Sequence, residues 1–361
     1  MEIQEYLEEF KNIQHTILYF LDDEDYEEEN FQILTNIFID KNVHDNKHKL
    51  KLLLHMIVEI ANNYHRASNF FPKIEKILLI FKEKIILFYS NWEIFNIFES
   101  NKRILLFLIE EKILEIDEYV IKILNTSEYI LKNYLSYLAP EIKPYINTKN
   151  CIQHELVTRL SENLPKDFNE KRKTGENDNL ICKIIRNDLI NEFVQFKKEN
   201  LNNVLEPSIY ETNTFLLNNQ TTLIEYAAFF GSIQIFEYLM KNKIELTPSL
   251  WIYAIHSNKF EIIHILEENN IKPINGSYKK CIEESLKCHN GDISLYIMSN
   301  FLFNLNLINI LPFSLKYYNF DFIENEFINI FSFIALCKFD YYIFVYLLLQ
   351  NNDININEEI K

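Results

Sequence analysis

Residues 222–240 read Thr-Leu-Ile-Glu-Tyr-Ala-Ala-Phe-Phe-Gly-Ser-Ile-Gln-Ile-Phe-Glu-Tyr-Leu-Met. The pattern is a short apolar helix, a break at Gly231, and a second helix folded back on the first. A hairpin this small cannot bury its apolar face alone. It needs neighbours of the same kind, which constrains the chain to a stacked array of hairpins, an architecture whose usual work is binding.

The same frame recurs along the chain. Its positions, each four apart, are Ala227, Gly231, Ile235 and Leu239 in this hairpin. Further copies are Ala254, Asn258, Ile262, Leu266; Ser285, His289, Ile293, Ile297; and Leu336, Asp340, Phe344, Leu348. Earlier copies are Ile97, Asn101, Leu105, Ile109 and, less regularly, Ile184, Asp188, Glu192, Phe196. The break position holds only Gly, Asn, His or Asp. These residue types tolerate a left-handed backbone, where a helix must stop and turn. Leu315, Asn319, Ile323 and Phe327 offer another frame, but Asn319 then lies too close to Asp340 for a full pair between them. Residues 300–335 have no clean reading from the sequence.

Composition excludes several classes. With 361 residues, 48% of them hydrophobic, the chain can bury a large core. It has only 4 glycines and neither a Gly-x-Gly-x-x-Gly nor a Walker sequence, which argues against glycine-dependent phosphate sites and leaves no cofactor implied. A formal charge of −16 argues against nucleic acid and anionic membrane surfaces as partners. No apolar run approaches the roughly 20 residues of a membrane helix, and no signal peptide is read at the acidic N-terminus. The 5 cysteines include no Cys-x-x-Cys pair and fit reduced thiols, hence a cytoplasmic location.

The chain reads as all-α. Residues 1–21, Leu50–Ile60 and Ile74–Tyr89 carry clear helical periods. The polar stretch Lys166–Asn179, with Gly175, is the best boundary. The expectation is a helical N-terminal region over 1–165, with at least one hairpin, followed by a degenerate repeat array over 180–361.

The hairpin resembles the ankyrin repeat through Thr222, Ile224, Ala227, Ala228, Gly231, Ile235 and Leu239. Leu223, Glu225 and Ser232 replace the Pro and the two His residues of that pattern. Asn351–Asn357 look like the start of an ankyrin β-finger, and the sequence stops soon after, which leaves a C-terminal cap in doubt. Ser100–Leu114, Glu206–Thr212 and Thr221–Leu266 further resemble the large, uncharacterised ankyrin-like family expanded in trichomonad protists. That resemblance implies a helical-hairpin solenoid and protein–protein interaction. An adaptor at the cytoskeleton or a membrane is a special case of that reading. The resemblance supplies no catalytic residues.

In the ankyrin-like frame, Phe229 and Phe230 lie just before the break, facing the concave groove where such repeats contact partners. The equivalent residues are His256 and Ser257, Lys287 and Cys288, and Lys338 and Phe339. Exposed aromatics make good anchors; the competing reading is that Phe229 or Phe230 packs beneath an adjacent loop. His44, His48 and His55 could share a helix face, but with Lys47, Lys49 and Asp45 around them they read as exposed polar residues, not a metal site. Cys281, Cys288 and His289 read as packing. The function expected is a non-enzymatic interaction module for an unknown protein partner. The alternative is an enzyme or small-ligand-binding protein with a site in the N-terminal helical half, marked by a convergent polar cluster in a pocket.

Overall fold

The computed structural model describes residues 3–23, 25, 27–67, 69–126, 133–145, 151–162, 164–196, 201–302 and 307–350. The finger expected at Asn351–Asn357 lies outside them. Among the described residues all regular structure is helical, and the one β feature is an isolated antiparallel bridge between Val204 and Thr222. Residues 1–73 and 247–361 form one compact unit, and residues 74–246 form another. The boundary expected between residues 165 and 180 falls inside the second unit.

Helical hairpins recur in both units. The second unit holds the Asp188 hairpin (Leu180–Arg186, Ile190–Phe196) and the Gly231 hairpin (Leu223–Phe230, Ile233–Lys241). The first unit holds the Asn258 hairpin (Leu250–His256, Phe260–Glu268), the His289 hairpin (Lys279–Lys287, Gly291–Phe301) and the Asp340 hairpin (Ile330–Lys338, Tyr342–Gln350). Every one of these break residues is left-handed, with φ of 49° at Asp188, 67° at Gly231, 53° at Asn258, 54° at His289 and 58° at Asp340.

The four-residue spacing has a physical cause. At four of these breaks the amide one residue beyond the break returns to the carbonyl four residues before it: Leu189 to Ile184, Ser232 to Ala227, Asn290 to Ser285 and Tyr341 to Leu336. This is a Schellman closure, and it satisfies a carbonyl that the ending helix leaves without a partner.

Two frames differ from expectation. Asn101 is not left-handed; at φ −127° it is the N-cap of Lys102–Glu110 and accepts from the amides of Arg103 and Ile104. Asparagine serves both roles, so its presence alone does not distinguish the end of one helix from the start of the next. In residues 300–335 the break is Tyr318, one residue before the expected Asn319, with φ 52°. Its closure runs from the Asn319 amide to the Ser314 carbonyl. The helix before it is Leu311–Lys316, and two 3-10 turns, Phe320–Phe322 and Asn325–Phe327, replace a returning helix.

A second bond ties four of the breaks to the one before. The residue after the break donates its side chain to the carbonyl three residues before the preceding break. Ser232 Oγ reaches Ile185 O at 2.5 Å, Asn290 Nδ2 reaches Ile255 O at 2.6 Å, Asn319 Nδ2 reaches Leu286 O at 2.9 Å, and Tyr341 Oη reaches Leu315 O at 3.0 Å. The donors differ in kind but share one register.

In the first unit, α1 (Ile3–Asp22) packs where the Tyr318 turn lacks a returning helix. Phe10 stacks on Phe320 with ring centroids 5.2 Å apart. The fully buried Gln14 accepts from the Phe320 amide at 2.7 Å and donates to Asp321 at 2.9 Å. α2 (Glu27–Asp40) packs on α1. α3 (Lys47–Asn63) is buried along most of its length and is tied to α1 by a buried Lys49–Glu9 pair of 2.6 Å.

Candidate functional site

Four of the six expected partner-binding residues are almost wholly withdrawn from solvent. Phe229 is 6% exposed, His256 2%, Ser257 6% and Cys288 0%. Phe230 and Lys287 are half-buried. In the second unit, Phe229 stacks on Phe215 of the short helix Thr214–Asn218, at 6.0 Å. Phe230 packs on Tyr226 and faces the Arg186 guanidinium. The residue pair therefore splits: Phe229 lies under the 201–221 loop, and Phe230 remains at the surface.

In the first unit the row of break-proximal residues is covered by α3. Running backwards along α3, the Asn63 backbone faces His256. The Glu59 charge faces Lys287 and Lys316. The His55 ring stacks on Tyr318 at 5.3 Å, and His55 lies 3.4 Å from the Asp340 carboxylate. Lys51 pairs with Asp340 at 2.9 Å, and His48 stacks on Tyr342 at 3.9 Å. His48 and His55 are thus half-buried packing partners rather than exposed polar residues, and His44 lies in the turn before α3.

Beneath α3, three expected residues converge on one that the sequence reading passed over, Glu284. His256 ends its helix, while Glu284, Lys287 and Cys288 lie at the end of Lys279–Lys287. Cys288 Sγ is 3.3 Å from His256 Nδ1, and His256 Nε2 is 2.8 Å from Glu284 Oε1, which also accepts from Lys287 at 2.9 Å. The carboxylate fixes the proton on Nε2, leaving Nδ1 to accept from the thiol. Burial would raise the Glu284 carboxyl, but the His256 hydrogen bond and the Lys287 charge hold it down at about 2. Burial lowers the His256 imidazole against the pull of Glu284, and burial with Glu284 pushes the Cys288 thiol up.

The order thiol, imidazole, carboxylate is that of a nucleophile, its base and an orienting acid. The electrostatics, however, favour a neutral thiol beside a neutral imidazole rather than an activated ion pair. His256, Glu284 and Cys288 each offer a ligand atom within 4.8 Å of one another. Yet both ring nitrogens are committed, and Lys287 already occupies the Glu284 oxygen. The arrangement is a buried polar network joining two successive hairpins.

The second unit contains a cavity of about 560 Å³ beneath the 201–221 loop. Lys102, Asn177, Glu211 and Tyr226 line it. Glu211 accepts from the amides of Asn177, Thr212 and Asn213 at 3.2, 2.9 and 2.8 Å. The Tyr226 hydroxyl accepts from Arg186 at 2.9 Å. The sequence reading missed this site because Lys102, Asn133, Asn177, Glu211 and Tyr226 are drawn from separate stretches of chain.

No known protein family, no curated protein and no solved structure matches this chain. Among the described residues no helix is long and apolar enough to cross a membrane.

Proposed function

We propose that this chain is a non-enzymatic protein–protein interaction module, a scaffold or adaptor built from degenerate ankyrin-like hairpins. The observation that carries this reading is the shared register of the side-chain bonds from Ser232, Asn290, Asn319 and Tyr341, each reaching the preceding hairpin. Side chains that repeat one bond at one register mark repeated units, and repeat arrays present side chains from successive units to a partner. The Val204–Thr222 bridge supports the same reading. It precedes a helix opened by a Thr222–Glu225 capping box, at the place where an ankyrin repeat carries its finger.

The partner surface in this reading belongs to the second unit, because α3 covers the equivalent row in the first. It comprises Val204 and Ile209 on the loop, 48% and 43% exposed, with Phe230 beside Arg186. A protein partner, not nucleic acid, accords with the charge of −16, and a cytoplasmic setting with cysteines free of disulfides among the described residues.

The test is affinity capture from native extract with the whole chain and with a Val204→Asp/Ile209→Asp variant of unchanged circular dichroism. The expected result is a reproducible protein recovered by the first and lost from the second. Equal recovery by both would rule this surface out. One observation favours a second reading, a small-ligand-binding protein: the cavity that Lys102 lines.

A further inference from the structure

Lys102 is 1% exposed, yet it lines the cavity beneath the 201–221 loop. Its ammonium donates to Ile209 O at 2.7 Å and to Asn133 O at 3.3 Å, and lies 4.9 Å from the centre of the Tyr137 ring. Among the described residues no carboxylate lies within ion-pair distance of it. Buried Lys49 differs, being paired with Glu9 at 2.6 Å. The charge of Glu211 reaches Lys102, but that carboxylate is already engaged by three backbone amides. Two carbonyls and an aromatic ring favour the ammonium, but without a carboxylate at ion-pair distance they do not offset its desolvation.

We propose that Lys102 is a carbonyl-reactive lysine, and that the cavity admits a small hydroxyaldehyde which condenses with its amine. The lining selects this class. Asn218 and Gln220 offer amide groups suited to ligand hydroxyls, while Asn177, Asn219 and Thr221 are held in place by hydrogen bonds to Glu206, Phe215 and Asn219. A volume of about 560 Å³ accommodates a molecule of a few heavy atoms with room to spare.

The step balances without a redox partner. The amine nitrogen attacks the carbonyl carbon, and a carbon–nitrogen double bond replaces the carbon–oxygen one. The two amine protons leave with the oxygen as water. The amine must first be neutral. Burial pushes Lys102 down to about 8, outweighing Glu211, so near that pH a large share is free amine.

Lys73 supplies an internal control. It is 2% exposed, and its ammonium likewise donates to backbone carbonyls, those of Leu21 and Asp23, but it does not line this cavity. The whole protein is treated with glycolaldehyde and cyanoborohydride near pH 8, and the reduced adducts are located by peptide mass spectrometry. Lys102 is expected to react on the order of tenfold faster than Lys73 in the native protein, a difference that urea abolishes. Lys102→Arg, which keeps the cation but forms no imine, is expected to remove that adduct alone. If Lys102 reacts no faster than Lys73 until the chain is unfolded, the proposal is wrong. The wild-type comparison decides the matter even if the variant fails to fold.

Discussion

Tyr341 donates its phenolic hydroxyl to the Leu315 carbonyl at 3.0 Å, the bond that Asn319 makes to Leu286 with an amide and Ser232 makes to Ile185 with a hydroxyl. Tyr341 is 1% exposed, so the carbonyl it serves is also shielded from water. Removing the donor leaves that acceptor with one bond fewer. Tyr341→Phe is expected to cost about 1 kcal/mol, read from urea unfolding, with ring packing unchanged. Asn319→Ala should cost more, since Asn319 also accepts from the Asp321 amide at 3.3 Å. A Tyr341→Phe variant as stable as the wild type would show that the bond does not hold the register.

Asp188 has two duties. It takes a left-handed φ of 49°, and its carboxylate accepts from the amides of Gln234 and Ile235, both at 3.0 Å, at the start of the next hairpin's second helix. Substitution separates them. Asp188→Asn keeps the backbone preference and an acceptor. Asp188→Gly keeps the backbone and loses the cap, at about 1 kcal/mol. Asp188→Ala loses the cap and adds about 1 kcal/mol of backbone strain. The expected order of thermal stability is Asn, Gly, Ala, and any other order contradicts the double role.

His289 predicts a loss of stability in acid. Burial pushes its imidazole down to about 4, against the pull of Asp321. An unfolded histidine takes its proton near 6.5, so the unfolded chain binds that proton first as pH falls. The stability that neutral His289 contributes is therefore complete above about 6.5 and lost progressively down to about 4. His289→Asn, which tolerates the same left-handed backbone, should flatten this dependence, by on the order of 3 kcal/mol across that interval. Glu59, raised by burial to about 7, works in the opposite sense: its contribution is complete below about 4.5 and lost as pH rises through 7. The comparison must therefore be between variant and wild type, by urea unfolding at a series of pH values. Parallel curves would refute the assignment.

Thiol chemistry should separate the cysteines by position. Burial raises Cys182 and Cys281 to about 12 and pushes Cys288 up as well, whereas Cys337 is exposed. Iodoacetamide mapped by mass spectrometry should mark Cys337 in the native protein and Cys182, Cys281 and Cys288 only after unfolding. Early labelling of Cys288 would mean that its imidazole partner activates it and that the cluster is accessible.

The breaks were legible in the sequence because a left-handed backbone admits few residue types, and Asp188, Gly231, Asn258, His289 and Asp340 are among them. Tyr318 was not legible, because tertiary packing holds it there: its ring stacks on His55 and Tyr341, and its hydroxyl donates to Phe339 O. Asn101 misled because one residue type caps either end of a helix. The convergence of His256, Lys287 and Cys288 was implicit in their equivalent positions in the frame. Their covering by α3 was not, because no local period records which helix packs over which across some 200 residues of chain. Lys102 escaped for the same reason, since the carbonyls that hold it belong to Asn133 and Ile209.

Within the first unit the N-terminal helices close over the C-terminal hairpins. The most direct test is native-state hydrogen exchange at the Phe320 amide, whose acceptor is the side chain of Gln14, far away in sequence. In the wild type this amide should be strongly protected. In Gln14→Ala it should exchange much faster, while the Tyr341 amide, bonded within its own hairpin to Leu336, should keep its protection. Unchanged exchange at Phe320 in Gln14→Ala would contradict the closure and return the unit-one row to the candidate partner surfaces.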